Sequence, residues 1–320
     1  VPRSQRLAAR ILAVSALVAA ALLGAQRASA YCRTAVCSFE GERVHGKTCT
    51  PAEPDDCGIP LQWRKPCVGV TLQEDGSRDV SDGAVHQTVL AAFAAWEKAS
   101  CGGAGPSIHV DDLGQVTCDR VEYNQHAGNA NIVMFRSLVW PHQGEESEGT
   151  TDTIALTTVT YDVEKGDIFD ADIEVNEAQN HFTTGDGAVD VDLLSVLTHE
   201  AGHFLGVAHS SESAATMFPS YDNGSIELRD LDADDVAAIC DAYPPERKTT
   251  GTCDALPRHG FSPDCDGLQQ EGRCSLSPGS PRPAHAPWAI ALGLLLIRGA
   301  RALTKRRARA LTTRRARRAP

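Results

Sequence analysis

The 320 residues predict an α+β fold built on one twisted, mixed sheet with a central helix at 190–205 and a C-terminal helix. Two observations carry the prediction. Short β-branched and aromatic runs, each bounded by Gly, Pro, Asn or Asp, fall between residues 61 and 161. Two segments with a helical apolar period follow them, at 190–205 and 231–243, and one lies among them, at 81–96.

Taken in order, the chain opens with Arg3, Arg6 and Arg10, an apolar run over 11–24 and the small-x-small triplet Ala28-Ser29-Ala30. That is the pattern of a secretory signal peptide over 1–30, with the mature chain expected to begin at Tyr31. Residues 31–57 are rich in Cys, Gly, Pro and charge and read as a small stapled cap. Five of the eleven cysteines lie between Cys32 and Cys67. Behind a signal peptide, eleven cysteines imply a disulfide framework and an odd thiol left over. Cys101 with Cys118 is expected as one local pair.

Residues 61–72, with Trp63 and Val68-Gly69-Val70-Thr71-Leu72, are expected as the first strand. Ser81-Asp82 opens a helix whose apolar positions are Val85, Val89, Leu90, Phe93, Ala94 and Trp96. Residues 108–110 and 131–135 supply further strands, 141–152 an acidic loop, and 153–161 an edge strand. Asp190 and Asp192 fall where an N-cap and first-turn acids belong, before Leu193, Leu194, Val196, Leu197, Phe204 and Leu205. The last helix, 231–243, is stopped by Pro244-Pro245.

The net charge of −12 conceals an asymmetry. Between Tyr31 and Ile297 the chain has 16 basic residues against 42 acidic ones, while 298–320 carries 10 basic and no acidic residues. So acidic a body argues against nucleic acid as a partner and allows cations.

The chemistry concentrates in Thr198-His199-Glu200-Ala201-Gly202-His203-Phe204-Leu205-Gly206-Val207-Ala208-His209. His199 and His203 are one helical turn apart on one face, so two imidazoles can grip one metal ion with Glu200 beside it. Gly206 can adopt the left-handed conformation that ends a helix, which lets His209 return as a third ligand. Three protein ligands leave a tetrahedral zinc one open position, the arrangement of a catalytic site.

This His-Glu-x-x-His-x-x-Gly-x-x-His pattern resembles the metzincin motif, and Ser210 after the third histidine is similar to the matrixin branch. Ala215-Thr216-Met217-Phe218-Pro219-Ser220-Tyr221 resembles the Met-turn and the Pro-x-Tyr segment of matrixins. Trp63, Trp96 and Tyr243 fall in matrixin order, so the resemblance covers residues 58–244. It implies zinc on His199, His203 and His209, with Glu200 as general base. It also implies Met217 as a packed floor beneath the metal, Pro219 and Tyr221 as walls of the specificity pocket, and a peptide pairing alongside Ala155-Leu156-Thr157.

Asp167, Asp170, Asp172, Glu174 and Glu177 cluster where matrixins bind calcium, and Asp170, Asp172 and Glu174 are the candidate ligands. His142 is followed by no histidine until His181, so a second, structural zinc is expected to be absent. Cys57-Gly58-Ile59-Pro60 is faintly similar to a cysteine switch, but a disulfide role for Cys57 is the preferred reading.

Residues 245–287 read as a Cys- and Pro-rich linker, and 288–320 as a short apolar stretch followed by a basic tail. The order of Cys274, apolar run and basic end is similar to the C-terminal sorting tails of myxobacterial surface proteins, which implies processing or lipidation at Cys274. A plain membrane anchor and a disordered basic end are the alternatives. The function expected is a secreted or surface-anchored zinc-dependent endopeptidase acting on protein or peptide substrates. A non-catalytic zinc-containing surface-binding protein, a zinc hydrolase of non-peptide substrates and a stapled coat protein are the other classes.

Overall fold

In a computed structural model the described residues are 31–36, 59–142, 153–249 and 252–267. The expected signal peptide, Cys57, the apolar and basic tail and Cys274 lie outside them. No helix among the described residues is long and apolar enough to cross a membrane.

A five-stranded sheet runs in the order β2-β1-β3-β5-β4. Its strands are β1 (Cys67–Gln73), β2 (His109–Val116), β3 (Ile132–Phe135), β4 (Ala155–Tyr161) and β5 (Ile168–Val175). β1 pairs in parallel with β2 and β3, β3 pairs in parallel with β5, and β4 runs antiparallel along β5. The mixed sheet of an α+β fold is therefore present, and β4 is an edge, as expected.

Both faces of the sheet are covered, which explains why β1 and β3 are buried along their whole length. Alternation divides β3 between two clusters. Val133 and Phe135 join the large inner core, while Ile132 and Met134 point into a smaller outer one with Val116, Cys118 and Ala130. The inner core is filled by α1 (Asp82–Glu97), which buries Val85, Val89, Ala92, Phe93 and Trp96. It is also filled by α2 (Leu193–Phe204) and α3 (Ala233–Ala242). A two-stranded parallel pair, β6 (Phe182–Thr183) and β7 (Val191–Asp192), leads into α2.

Four expectations change. β1 begins at Cys67 rather than 61, because Arg64, Lys65 and Pro66 bend the chain before it; Leu61 and Trp63 are buried all the same. β5, expected as a calcium-binding acidic cluster or a solvated acidic strand or turn, is a buried strand in which Phe169, Ala171, Ile173 and Val175 alternate with the acids. Asp192 is the N-cap of α2, and no acid stands in its first turn; Asp190 precedes β7. Cys101 does not pair with Cys118. The eight residues of β2 lie between them, a span of about 26 Å at strand rise. Cys101 instead bonds Cys240, and Cys118 bonds Cys265.

The segment 252–267 is packed, not loose. Cys253 bonds Cys67, and Pro263 O accepts from Thr117 N and Cys118 N, both at 3.0 Å. Cys101–Cys240 ties the residues after α1 to α3 across 139 residues of chain. Closing a loop of that length restricts the unfolded ensemble strongly. Replacing both cysteines with serine should lower the unfolding free energy by about 2–5 kcal/mol in urea titrations. An unchanged midpoint and slope would show that the bond contributes nothing.

Candidate metal centre

The centre is built on α2, and both ends of that helix are fixed by specific partners. At its start the buried Asp192 carboxylate accepts from Ser195 N at 2.9 Å and Ser195 Oγ at 2.8 Å. Such a cap satisfies a helix-end N–H that would otherwise have no partner. Arg229 neutralises the cap with two hydrogen bonds, Nε to Oδ2 at 2.8 Å and Nη2 to Oδ1 at 2.6 Å. From the middle of the helix to its far end, three aromatic donors take up backbone carbonyls. Trp96 Nε1 donates to Thr198 O, Trp63 Nε1 to Phe204 O, and the Tyr243 hydroxyl to Leu205 O, each at 2.8 Å.

Gly206 then reverses the chain at φ +85°. A Cβ there would lie 2.7 Å from Leu61 O, so both the dihedral and the space require glycine. The reversed segment is braced by residues near the N-terminal end: Thr34 N donates to Gly206 O and Ala208 N to Cys32 O, both at 3.0 Å.

The reversal brings His209 back onto α2. Ring centroids are 4.8 Å apart for His199 and His203, 5.2 Å for His199 and His209, and 4.8 Å for His203 and His209. One potential ligand atom from each ring lies within 4.8 Å of the others. His199 Nδ1 is spent on Thr216 O at 2.7 Å and His203 Nδ1 on Val207 O at 2.9 Å, which fixes both tautomers and frees their Nε2 atoms. His203 Nε2 and His209 Nε2 stand 3.2 Å apart. Two nitrogens on one tetrahedral zinc should be separated by about 3.3 Å. The donor set therefore fits zinc.

Burial, and then the neighbouring imidazoles, hold the His203 ring well below its usual pKa. Burial, and then His199, bring His209 down to about 4. Neutral imidazoles at neutral pH are the form that binds metal. Burial raises the Glu200 carboxyl, opposed by His199 and by a hydrogen bond from Thr157 Oγ1 to Oε2 at 2.6 Å.

The turn over 215–221, which resembles a Met-turn, lies against the same helix. Met217 is buried, and a Cβ on Gly202 would come within 2.3 Å of its sulfur and 2.6 Å of Trp96 Cζ2. Glycine between the two helical histidines is thus what admits the methionine. Asp235, the third residue of α3, holds this turn from below. Its Oδ2 accepts from Thr216 N at 2.7 Å and its Oδ1 from Met217 N at 3.1 Å. The Thr216 carbonyl that orients His199 is therefore anchored by α3. The Tyr221 hydroxyl donates to Ser225 O at 2.7 Å and accepts from Asp192 N at 2.8 Å, while Pro219 is exposed beside it.

Sequence reasoning missed Asp235, Arg229 and the side-chain contact of Thr157, which was named only for strand pairing. The capping-box spacing of Asp232 and Asp235 was a readable signal for the first. Nothing local marked Arg229 or Thr157, whose partners lie 37 and 43 residues away.

The five acids proposed for calcium have different fates. Asp167 pairs with Arg64, and Glu174 is held by Arg136 at 2.6 Å and His142 at 2.7 Å. Glu177 accepts from Ser77 and Ser137 and from the backbone of Arg78 and Asp79. Asp170 and Asp172 remain, each with one buried oxygen that has no hydrogen-bond partner among the described residues. Burial above all pushes both carboxyls up, Asp172 to about 8, with Asp172 adding to the effect on Asp170. Asp170, Asp172 and Glu174 do not form a converging three-ligand set among the described residues.

The matrixin family model matches residues 62–244, more than half of the chain. Among similar proteins are metalloendoproteinase 1-MMP of Arabidopsis thaliana, 47% identical over 64 residues, and karilysin of Tannerella forsythia, 45% identical over 53. Human matrilysin is 38% identical over 60 residues. These alignments cover 20%, 17% and 19% of this chain and 17%, 11% and 22% of the three relatives.

The depressed His209 pKa has a consequence for the metal-free protein. Between the ordinary 6.5 and about 4 the folded form binds fewer protons than the unfolded chain. The ring's contribution to stability is thus fully present above pH 6.5 and lost as pH falls toward 4. An NMR titration of the stripped protein should find the His209 midpoint near 4; a midpoint near 6.5 contradicts the packing described.

Proposed function

Because the chain belongs to the matrixin family of zinc-dependent metalloendopeptidases, we propose that it is itself a zinc endopeptidase that hydrolyses internal peptide bonds of protein or peptide substrates. The observation that carries this reading is the convergence of His199, His203 and His209 beside the buried Glu200 carboxylate.

His199, His203 and His209 would hold the metal. A zinc ion so held lowers the pKa of a coordinated water to about 7 and polarises a carbonyl. Glu200 takes a proton from the attacking water and passes it to the leaving amine as the C–N bond breaks. Burial raises the Glu200 carboxyl above its ordinary pKa, which favours its holding the proton between the two transfers.

Substrate would lie extended along β4, whose outer side has no partner strand among the described residues. Tyr221 and Pro219 would border the pocket for the side chain beyond the scissile bond, with Tyr221 locked by its two hydrogen bonds. Secretion is part of the proposal, supported by the leader-like residues 1–30 and by three disulfides among the described residues. Attachment to a cell surface through Cys274 and the apolar, basic tail rests on the sequence alone. Calcium has the weaker case, because Glu174 is spent on Arg136 and His142.

Purified protein should bind one zinc and cleave casein. Glu200→Ala should keep the zinc and lose about 10²–10⁴-fold or more in kcat/KM. A wild type that binds zinc but cleaves no unfolded protein would overturn the reading, as would a Glu200→Ala variant with full activity.

A further inference from the structure

We infer that Thr157 is a positioning residue for the general base: its side-chain hydroxyl, not only its backbone, sets where the Glu200 carboxylate points. The inference rests on the proposed endopeptidase reading and goes beyond it, since nothing in that reading gives the edge strand a side-chain role.

Residues of β4 alternate between two faces. Ala155, Val159 and Tyr161 pack against the inner core, and their partners on β5 include Val175, Ala171 and Ile168. Thr157 belongs to this same row, opposite Ile173, which is itself in the core. It is the one hydroxyl in an apolar row of four, except for the phenol at the strand's end.

A hydroxyl facing a core needs a partner. Thr157 Oγ1 lies 2.6 Å from Glu200 Oε2 and 3.2 Å from Glu200 O. The shorter contact is a charge-assisted donation to the carboxylate, the stronger class of hydrogen bond. Glu200 has three side-chain torsions, and no other described donor to its carboxylate is given by the structure's hydrogen bonds. Its helix fixes the backbone but not those torsions. A single short bond from a rigid β-branched residue on a neighbouring strand restricts them. Oε2 is held by the threonine, and Oε1 is left to meet the attacking water.

The arrangement also links two events. β4 is the edge on which an extended peptide would pair, and Thr157 is in the middle of it. Ordering of the strand by a bound peptide therefore orders the residue that aims the base. Thr157 neither gains nor loses a proton in the reaction; it acts through Glu200.

The test compares zinc-loaded wild type with Thr157→Val, which keeps the shape and removes the hydroxyl, and Thr157→Ser, which keeps the hydroxyl. Peptide kinetics are measured on each, and crystal structures are solved for wild type and Thr157→Val. Thr157→Val should lose about 10- to 100-fold in kcat with KM within twofold, and Thr157→Ser should recover most of the loss. The Glu200 carboxylate should keep its place in wild type and leave it in Thr157→Val. An unchanged kcat in Thr157→Val, a rise confined to KM, or an equal loss in Thr157→Ser would overturn the inference. Should wild type cleave no peptide, the endopeptidase reading fails, and the two crystal structures still decide whether the hydroxyl places the carboxylate.

Discussion

The site depends on one backbone reversal. An α-helix can present two histidines on one face at a spacing of four, but no third residue of a straight helix can meet both from the side. The third ring has to come back. Gly206 allows this at φ +85°, in a space where Leu61 O leaves no room for a side chain. Three residues later His209 reaches within 3.2 Å of His203, nitrogen to nitrogen.

The rest of the fold keeps this geometry from relaxing. Three imidazoles brought together are crowded at short range, and burial pushes the protons off His203 and His209. The scaffold must therefore be ordered beforehand. Trp63, Trp96 and Tyr243 fasten carbonyls of α2 and its C-terminal turn, Arg229 and Asp192 fasten its beginning, and Asp235 fastens the turn that carries Thr216 and Met217. Each of these side chains is polar at one point and buried at another. That combination lets distant segments orient a ring to within a hydrogen bond's tolerance.

What could be read from the sequence follows from how local the cause is. The three-histidine pattern and the α1 helix are encoded by residues within one or two turns of each other, and the structure places the three rings within reach of one another and forms the helix. β5 was obscured because Asp170, Asp172 and Glu174 fill one face of a strand that is buried on both. Acids in a core are rare enough that the pattern reads as surface. Here the cost is met differently at each: an arginine and a histidine for Glu174, raised pKa values for the two aspartates. The disulfide partners and the bond from Thr157 to Glu200 depend on how the sheet is ordered, which no local window contains.

The central claim is that three imidazoles share one ion and leave a corner of it open. A crystal structure of zinc-saturated protein, with anomalous scattering measured on both sides of the zinc edge, tests this most directly. The account predicts one strong peak with His199, His203 and His209 nitrogens at about 2.0–2.1 Å and a fourth position not filled by protein. A peak bound by only two of these rings, a fourth protein ligand closing the site, or zinc found elsewhere on the molecule would contradict it.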